Sequence, residues 1–410
     1  MSANSTNLKS YSVITGAYWA FTLTDGAIRM LVVLYFHQLG YSPLAIASLF
    51  LFYEFFGMIT NLIGGWAATR FGLKSTLLLG MALQIIALLM LTVPTEYLTM
   101  LYVMAAQALS GIAKDLNKMS AKSSIKQLFP TDAKGASNKL FKWIAILTGS
   151  KNTLKGAGFF LGGFLLALYG FQTALVILAS GLFIALILAT FLLPASKNEN
   201  KYKAKFSQLF ANDPAINWLS AARFFLFGSR DIWFVVALPV YLASQLNWQF
   251  EQIGGFFALW IIGYGLVQTC APALLRFRRQ HHHPIDGKTT QQLALLLLLV
   301  PLSIALGLYL GLDANWLLIG GLALYAMIFA LNSAVHSYLI VDWSEHQKVA
   351  MNVGFYYMAN AGGRLTGTIL SGLVYQYYGL IGCLLTSGLF IAMTVFLSQQ
   401  LPSSQAISNT

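Results

Sequence analysis

Lys155-Gly-Ala-Gly158-Phe-Phe-Leu161-Gly-Gly163-Phe-Leu-Leu-Ala-Leu-Tyr169-Gly170 aligns without a gap, at a constant offset of 209, on Arg364-Leu-Thr-Gly367-Thr-Ile-Leu370-Ser-Gly372-Leu-Val-Tyr-Gln-Tyr-Tyr378-Gly379. Each copy opens on a cation and runs through apolar residues to a Tyr-Gly pair, with Gly158 on Gly367, Leu161 on Leu370 and Gly163 on Gly372. An offset of about half the chain means that the fold is built twice. Asp25 and Asp231 stand in similar places near the start of each copy.

Working outward, the chain has 410 residues, is 57% hydrophobic and only 9% charged, and carries 29 Phe and 19 Tyr. That composition excludes a water-soluble domain and predicts an all-α polytopic membrane protein. At the ~20-residue length that crosses ~30 Å of hydrocarbon, twelve helices are expected. Their limits are 11–36, 44–68, 76–93, 98–122, 140–168 and 174–193, then 216–243, 253–275, 292–312, 316–341, 349–375 and 380–401. The first run lacks the short apolar core and cleavage site of a signal peptide and is expected to stay as a helix. The polar stretch 196–213, with Lys197, Lys201, Lys203 and Lys205, reads as a cytoplasmic linker between an N-terminal half (1–195) and a C-terminal half (214–410).

Basic residues fall at alternate loops, among them Lys9, Arg70, Lys74, Lys122, Lys126, Lys134, Lys139, Arg276, Arg278, Arg279, Lys288 and Lys348. The intervening loops offer Glu96, Glu251 and Asp313. Both termini are therefore expected in the cytoplasm. This asymmetry accounts for most of the net charge of +12, and a nucleic-acid partner is not expected. Cys270 and Cys383 lie in separate apolar runs and read as packing residues. Gly287-Lys288-Thr289 lacks the glycine of a phosphate-binding loop five places earlier, where His282 stands. His281-His282-His283 lacks the spacing of a native metal site, so neither metal nor cofactor is expected. No paired catalytic aspartates, metal-binding helix motif or nucleophile elbow points to an enzyme.

Charge within the apolar runs is the functional signal. A Lys or Arg at a helix centre costs roughly 2.5–3.5 kcal/mol on insertion scales, so such residues usually face a cavity. The positive groups are Arg29, Lys114, Lys118, Lys151, Lys155, Arg223, Arg230 and Arg364; the negative ones are Asp25, Glu54, Asp115 and Asp231. The surplus of four positive charges points to a polyanionic ligand held by Arg29, Arg230, Lys114, Lys118, Lys151, Lys155 and Arg364. For Lys114, Lys118 and Arg223 the other reading is snorkelling to the cytoplasmic surface. Guanidinium forks suit tetrahedral oxyanions, and Arg29 and Arg230 each lie well inside the first helix of a half. They either contact ligand or pair with Asp25 and Asp231. Asp25, Glu54 and Asp231 are candidate proton carriers or salt-bridge partners. His336 is either a hydrogen-bonded polar residue or a site histidine, and Tyr18, Trp19, Tyr53, Tyr356 and Tyr357 either line a pore or pack.

Two six-helix halves in a parallel repeat resemble the plan of major facilitator transporters, whose substrate site lies between the halves. Gly65-Trp-Ala-Ala-Thr69-Arg70-Phe-Gly72-Leu-Lys74 is similar to the signature after the second helix in that superfamily, with Thr69 where Asp is usual. Three blocks resemble the ArsJ-type organoarsenical efflux permeases: Tyr18 to Met30, Ala105 to Lys122 and Ala145 to Gly163. That resemblance implies an arsenate-resistance carrier of the bacterial inner membrane, monomeric, exporting 1-arseno-3-phosphoglycerate made by a glyceraldehyde-3-phosphate dehydrogenase. Two phosphate-like groups bring about three to four negative charges, close to the surplus. Charge alone does not separate this cargo from ordinary phosphorylated glycerates or sugar phosphates, and a transporter or exchanger of those stands as the alternative.

Overall fold

A computed structural model of the chain describes residues 2–71, 73–128, 136–193, 213–275, 285–344 and 349–403. Regular structure among them is helical throughout: α1 (Ser2–Gln38), α2 (Pro43–Leu49), α3 (Leu51–Phe71), α4 (Leu73–Met90), α5 (Met100–Leu128) and α6 (Ala136–Leu192), then α7 (Pro214–Phe234), α8 (Ala237–Ser244), α9 (Phe250–Leu274), α10 (Gly287–Tyr309), α11 (Ala314–Asp342) and α12 (Val349–Ser398). Eight helical stretches among the described residues are long and apolar enough to cross a membrane. The surface is apolar, with Phe191 83% and Leu259 74% exposed, whereas Glu54 and Asp231 are fully buried. Only a hydrocarbon solvent makes that inversion favourable, because backbone polar groups are satisfied within helices while side-chain polarity turns inward.

The repeat read from the sequence reappears as backbone geometry. α6 breaks at Gly170 (φ 74°) and α12 at Gly379 (φ 65°), equivalent positions in the left-handed region that glycine adopts without a Cβ penalty. Within each half the same small residues let helices touch. A Cβ at Gly162 of α6 would lie 2.5 Å from the Ala27 carbonyl oxygen of α1, and one at Gly367 of α12 would lie 2.6 Å from that of Gly228 in α7. Between the halves, a Cβ at Gly163 would come within 2.7 Å of the Phe250 oxygen of α9, and one at Gly372 within 2.8 Å of the Pro43 oxygen of α2. The two cross-half contacts are thus copies of each other.

Local chemistry explains the discontinuities. Pro239 cannot donate to Val235 and its ring crowds that carbonyl, so α7 ends and α8 begins afresh. The backbone N–H groups of Val236 and Ala237 donate instead to Ser371 Oγ of α12, at 3.2 and 3.1 Å. Ser42 caps α2, accepting from the Ala45 N–H, with Pro43 at the first helical position. Gly287-Lys288-Thr289 is the capped start of α10, with Asp286 accepting from the Thr289 N–H. The linker residues 196–212, the histidine run 281–283 and the signature side chains from Gly65 to Gly72 lie outside the described residues. Lys74 is described: its Nζ donates to the carbonyl oxygens of Thr190 and Leu193, closing the end of α6 where the helix dipole favours a cation. Cys383 is buried as expected, but Cys270 is exposed on the apolar surface and is not a core packing residue.

Candidate functional site

Six helices bring the membrane-embedded charges together. α1 supplies Asp25 and Arg29, α3 supplies Tyr53 and Glu54, and α5 supplies Lys114, Asp115 and Lys118; α6 contributes Lys155, α7 Arg230 and Asp231, and α12 Arg364. Glu54 Oε1 accepts from Arg29 at 2.8 Å and from Arg364 at 2.6 Å. Arg364 Nε donates to Asp231 Oδ2 at 3.1 Å, and Arg230 Nε to Asp231 Oδ1 at 2.7 Å. A ladder Arg29–Glu54–Arg364–Asp231–Arg230 therefore runs from the N-terminal half into the C-terminal half. Its second rung, Glu54–Arg364, is an ion pair between residues 310 apart in sequence.

Two branches leave the ladder. Lys114 Nζ lies 3.8 Å from Glu54 Oε2 and 3.6 Å from Asp115, which also holds Lys118 at 3.3 Å. Lys118 donates to Asn61 at 2.8 Å and sits 3.9 Å over the Tyr357 ring. Lys155 pairs with Asp25 at 3.0 Å, and the Tyr53 hydroxyl donates to the other Asp25 oxygen at 2.5 Å. The Tyr53 ring lies beneath both Lys114, at 4.0 Å, and Arg29, at 4.8 Å. Contact of both cations with one aromatic ring, each also near a carboxylate, offsets part of the cost of desolvation. Lys151 is half-buried on α6, one turn before Lys155.

The pairing answers several open readings. Lys155–Asp25 and Arg364–Asp231 occupy equivalent places in the two halves, so the repeat preserves an ion pair as well as glycines. Arg29 does not pair with Asp25. One turn along a helix places the two in line, but Glu54 approaches Arg29 from α3 and Lys155 claims Asp25 from α6. Arg230 does pair with Asp231. The two arginines are also not symmetry mates: Arg29 follows Asp25 by four residues, whereas Arg230 immediately precedes Asp231. Snorkelling fails for Lys114, Lys118 and Arg223, all buried within the bundle because their helices face protein on that side.

Sequence reasoning overlooked Asn61, Ser333, Asn360 and Gln268, which hydrogen-bond the buried cations or one another. Their signal was a neutral polar residue inside an apolar run, each with a hydrogen-bonding capacity that lipid leaves unmet. Of the aromatic candidates, Tyr53 serves the site directly, Tyr18 and Tyr356 are buried, and Trp19 is exposed with its indole N–H on Ser150 at 3.0 Å. A small cavity adjoins Arg29, walled by Phe159, Phe234, Pro239 and Phe257, and Arg29 Nε is buried there without an acceptor among the described residues. Among the described residues no cluster of three or more His, Cys, Asp or Glu is arranged to hold a metal ion.

Comparison with solved structures gives the same architecture. The chain is similar to a POT family transporter in complex with 5-aminolevulinic acid, at 15% identity over 94% of each chain and a TM-score of 0.75. A second POT family transporter, in complex with a thioalcohol-conjugated peptide, matches at 14% identity over 94% of each chain with a TM-score of 0.73. A structure from work on proton-dependent oligopeptide transporters matches at 16% identity, over 96% of this chain and 95% of the other, with a TM-score of 0.67. At these identities the likeness is one of fold. No curated protein matches the chain. The Major Facilitator Superfamily profile matches residues 14–300, well over half the sequence, and a multi-pass helical bundle with a polar seam between its halves fits that match. The chain belongs to the Major Facilitator Superfamily and is a secondary transporter of small molecules rather than an enzyme.

Proposed function

We propose that this transporter exports a two-headed organic oxyanion, 1-arseno-3-phosphoglycerate, from the cytoplasm of a bacterial cell and so confers resistance to arsenate. The observation that carries the reading is the ladder: its two ends, Arg29 and Arg230, are guanidiniums from opposite halves, joined through carboxylates that an oxyanion of the same charge can replace. The surplus of buried positive charge and the likeness of the blocks around Asp25, Lys114 and Lys155 to ArsJ-type permeases support the same cargo. In the mechanism, one end of the substrate exchanges with Glu54 on Arg29, the other with Asp231 on Arg230, and Lys151 and Lys155 add positive field from α6. Opening of the one cross-half ion pair, Glu54–Arg364, then permits the halves to rock.

The proposed topology has twelve spans, both termini in the cytoplasm and the chain in the inner membrane. The breaks at Gly170 and Gly379 divide α6 and α12 into two spans each, and the shorter Lys74–Met90 and the charged Met100–Leu128 complete the set. The test is uptake into everted membrane vesicles supplied with arsenate, glyceraldehyde-3-phosphate, NAD+ and glyceraldehyde-3-phosphate dehydrogenase, with phosphoglycerates as competitors. Saturable arsenic uptake that requires the dehydrogenase is expected. Uptake of free arsenate or arsenite without it refutes the cargo, and phosphoglycerate uptake at equal efficiency indicates an ordinary organophosphate carrier.

A further inference from the structure

We infer that Arg223 of α7 is the anchor of a separate oxyanion subsite in the C-terminal half, built with Asn360, Ser333 and Gln268; the inference deepens the proposed anion-transport reading and rests on it. Of Arg29, Arg223, Arg230 and Arg364, only Arg223 has no carboxylate partner among the described residues. Its side chain is buried, and its hydrogen bonds go to neutral groups: Nε to Asn360 Oδ1 at 3.0 Å, and NH1 to the Ser333 carbonyl and hydroxyl at 3.3 and 3.1 Å. The Phe227 ring covers one face at 3.7 Å. A buried cation surrounded by dipoles and a ring keeps its full charge, so an anion gains there what Glu54 and Asp231 already supply elsewhere.

The surroundings are built for polar contact. Tyr264 and Gln268 donate to the same Ser333 hydroxyl, and Gln268 accepts from Asn152 of α6 at 2.7 Å, so the cluster crosses to the other half next to Lys151. On α11, Asn332 and His336 are fully buried with no hydrogen-bond partner among the described residues on either side-chain polar atom, and His336 lies within electrostatic reach of Arg223. Polar atoms left unmet beside an unneutralised guanidinium are the signature of a ligand pocket in its closed form. An oxyanion replacing the Asn360 oxygen on Nε and taking NH2 is held in two-pronged fashion. The chemical class is a phosphate-like or carboxylate head, and the subsite gives the substrate a second grip in the C-terminal half once the Arg230–Asp231 pair re-forms.

The test uses Asn360→Asp, which places a carboxylate on Arg223 from within, together with Arg223→Gln. Full-length protein in detergent is titrated with inorganic phosphate and with 3-phosphoglycerate, following both affinity and melting temperature. Asn360→Asp is expected to melt higher than the parent without ligand, yet to bind both anions about tenfold to hundredfold more weakly, the factor for one lost charged hydrogen bond. Arg223→Gln is expected to lose the same affinity. Asn360→Asp with the parent's affinity for both anions, or a parent that binds neither, overturns the subsite. A parent that binds phosphate but not 3-phosphoglycerate, with phosphate lost in Asn360→Asp, upholds the subsite and refutes the cargo. Binding of 3-phosphoglycerate that survives both variants and disappears in Arg29→Lys upholds the cargo and refutes the subsite.

Discussion

Replacing Glu54 by Gln removes the charge that joins the halves, and the structure sets the size of the effect. One oxygen accepts from Arg29 at 2.8 Å and Arg364 at 2.6 Å, in a site with no solvent exposure. Charged hydrogen bonds contribute about 1.5–3 kcal/mol each, and breaking a buried ion pair by removing one partner costs about 3–5 kcal/mol. The lower end applies here, because the glutamine carbonyl still accepts and Arg364 keeps Asp231 at 3.1 Å. A double-mutant cycle isolates the cross-half rung: Glu54→Gln and Arg364→Gln, singly and together, followed by reversible unfolding in detergent. The coupling should be about 1.5–3 kcal/mol, within the range for directly bonded neighbours. Anion affinity should rise in Glu54→Gln while transport falls, since the internal competitor is gone but the halves no longer re-link. A coupling under about 0.5 kcal/mol, the ordinary scatter of additive sites, would refute the ladder.

Two further outcomes follow from the branches and the repeat. Asp25→Asn should abolish pH-driven accumulation in proteoliposomes and leave downhill exchange intact; loss of both together, restored by a second change Lys155→Met, would make Asp25 only the structural partner that its 3.0 Å contact allows. Gly379→Ala should lower stability by about 1–3 kcal/mol, the cost of a Cβ at a positive φ with extended ψ, a region kept to glycine. Thermal unfolding equal to the parent would show that the break between the two segments of α12 does not depend on glycine.

The parts of this fold written in local chemistry were legible: the repeat, the glycines, the apolar lengths and the identity of the embedded charges. Gly170 and Gly379 could be read as paired positions from their offset alone, and the structure adds that both take a positive φ. Partner choice was not legible. Asp25 and Arg29 are one turn apart, which from sequence makes them natural partners, but a shared helix face aligns side chains side by side and leaves both open to neighbouring helices. Glu54 meets Arg29 across two separate helices, a consequence of tertiary packing that no spacing encodes. Arg223 was missed as a site for a similar reason. Its position near the inner end suggested escape to water, and only the packing of α11 and α12 around it shows that no such route is taken.

The departure from symmetry carries the functional weight. Gly163 meets Phe250 and Gly254, and Gly372 meets Pro43 and Ala47, so the contacts equate Pro43 with Phe250 and Ala47 with Gly254. The same register sets Glu54 opposite Ile261. Gly156, beside Lys155, abuts Ile261, just where a second carboxylate would complete a second cross-half pair. Among the described residues Lys155 is therefore paired only within its own half, to Asp25, while its counterpart Arg364 holds both Asp231 and Glu54. Two symmetric bridges would hold the halves with roughly twice the charged contact, and both would have to open together. With a single carboxylate, one exchange event is enough in the proposed mechanism: an oxyanion that takes Arg364 away from Glu54 removes the shared rung, and its departure restores it. In that proposed mechanism the isoleucine leaves one cross-half ion pair for the anion to displace, where a faithfully duplicated pair would leave two.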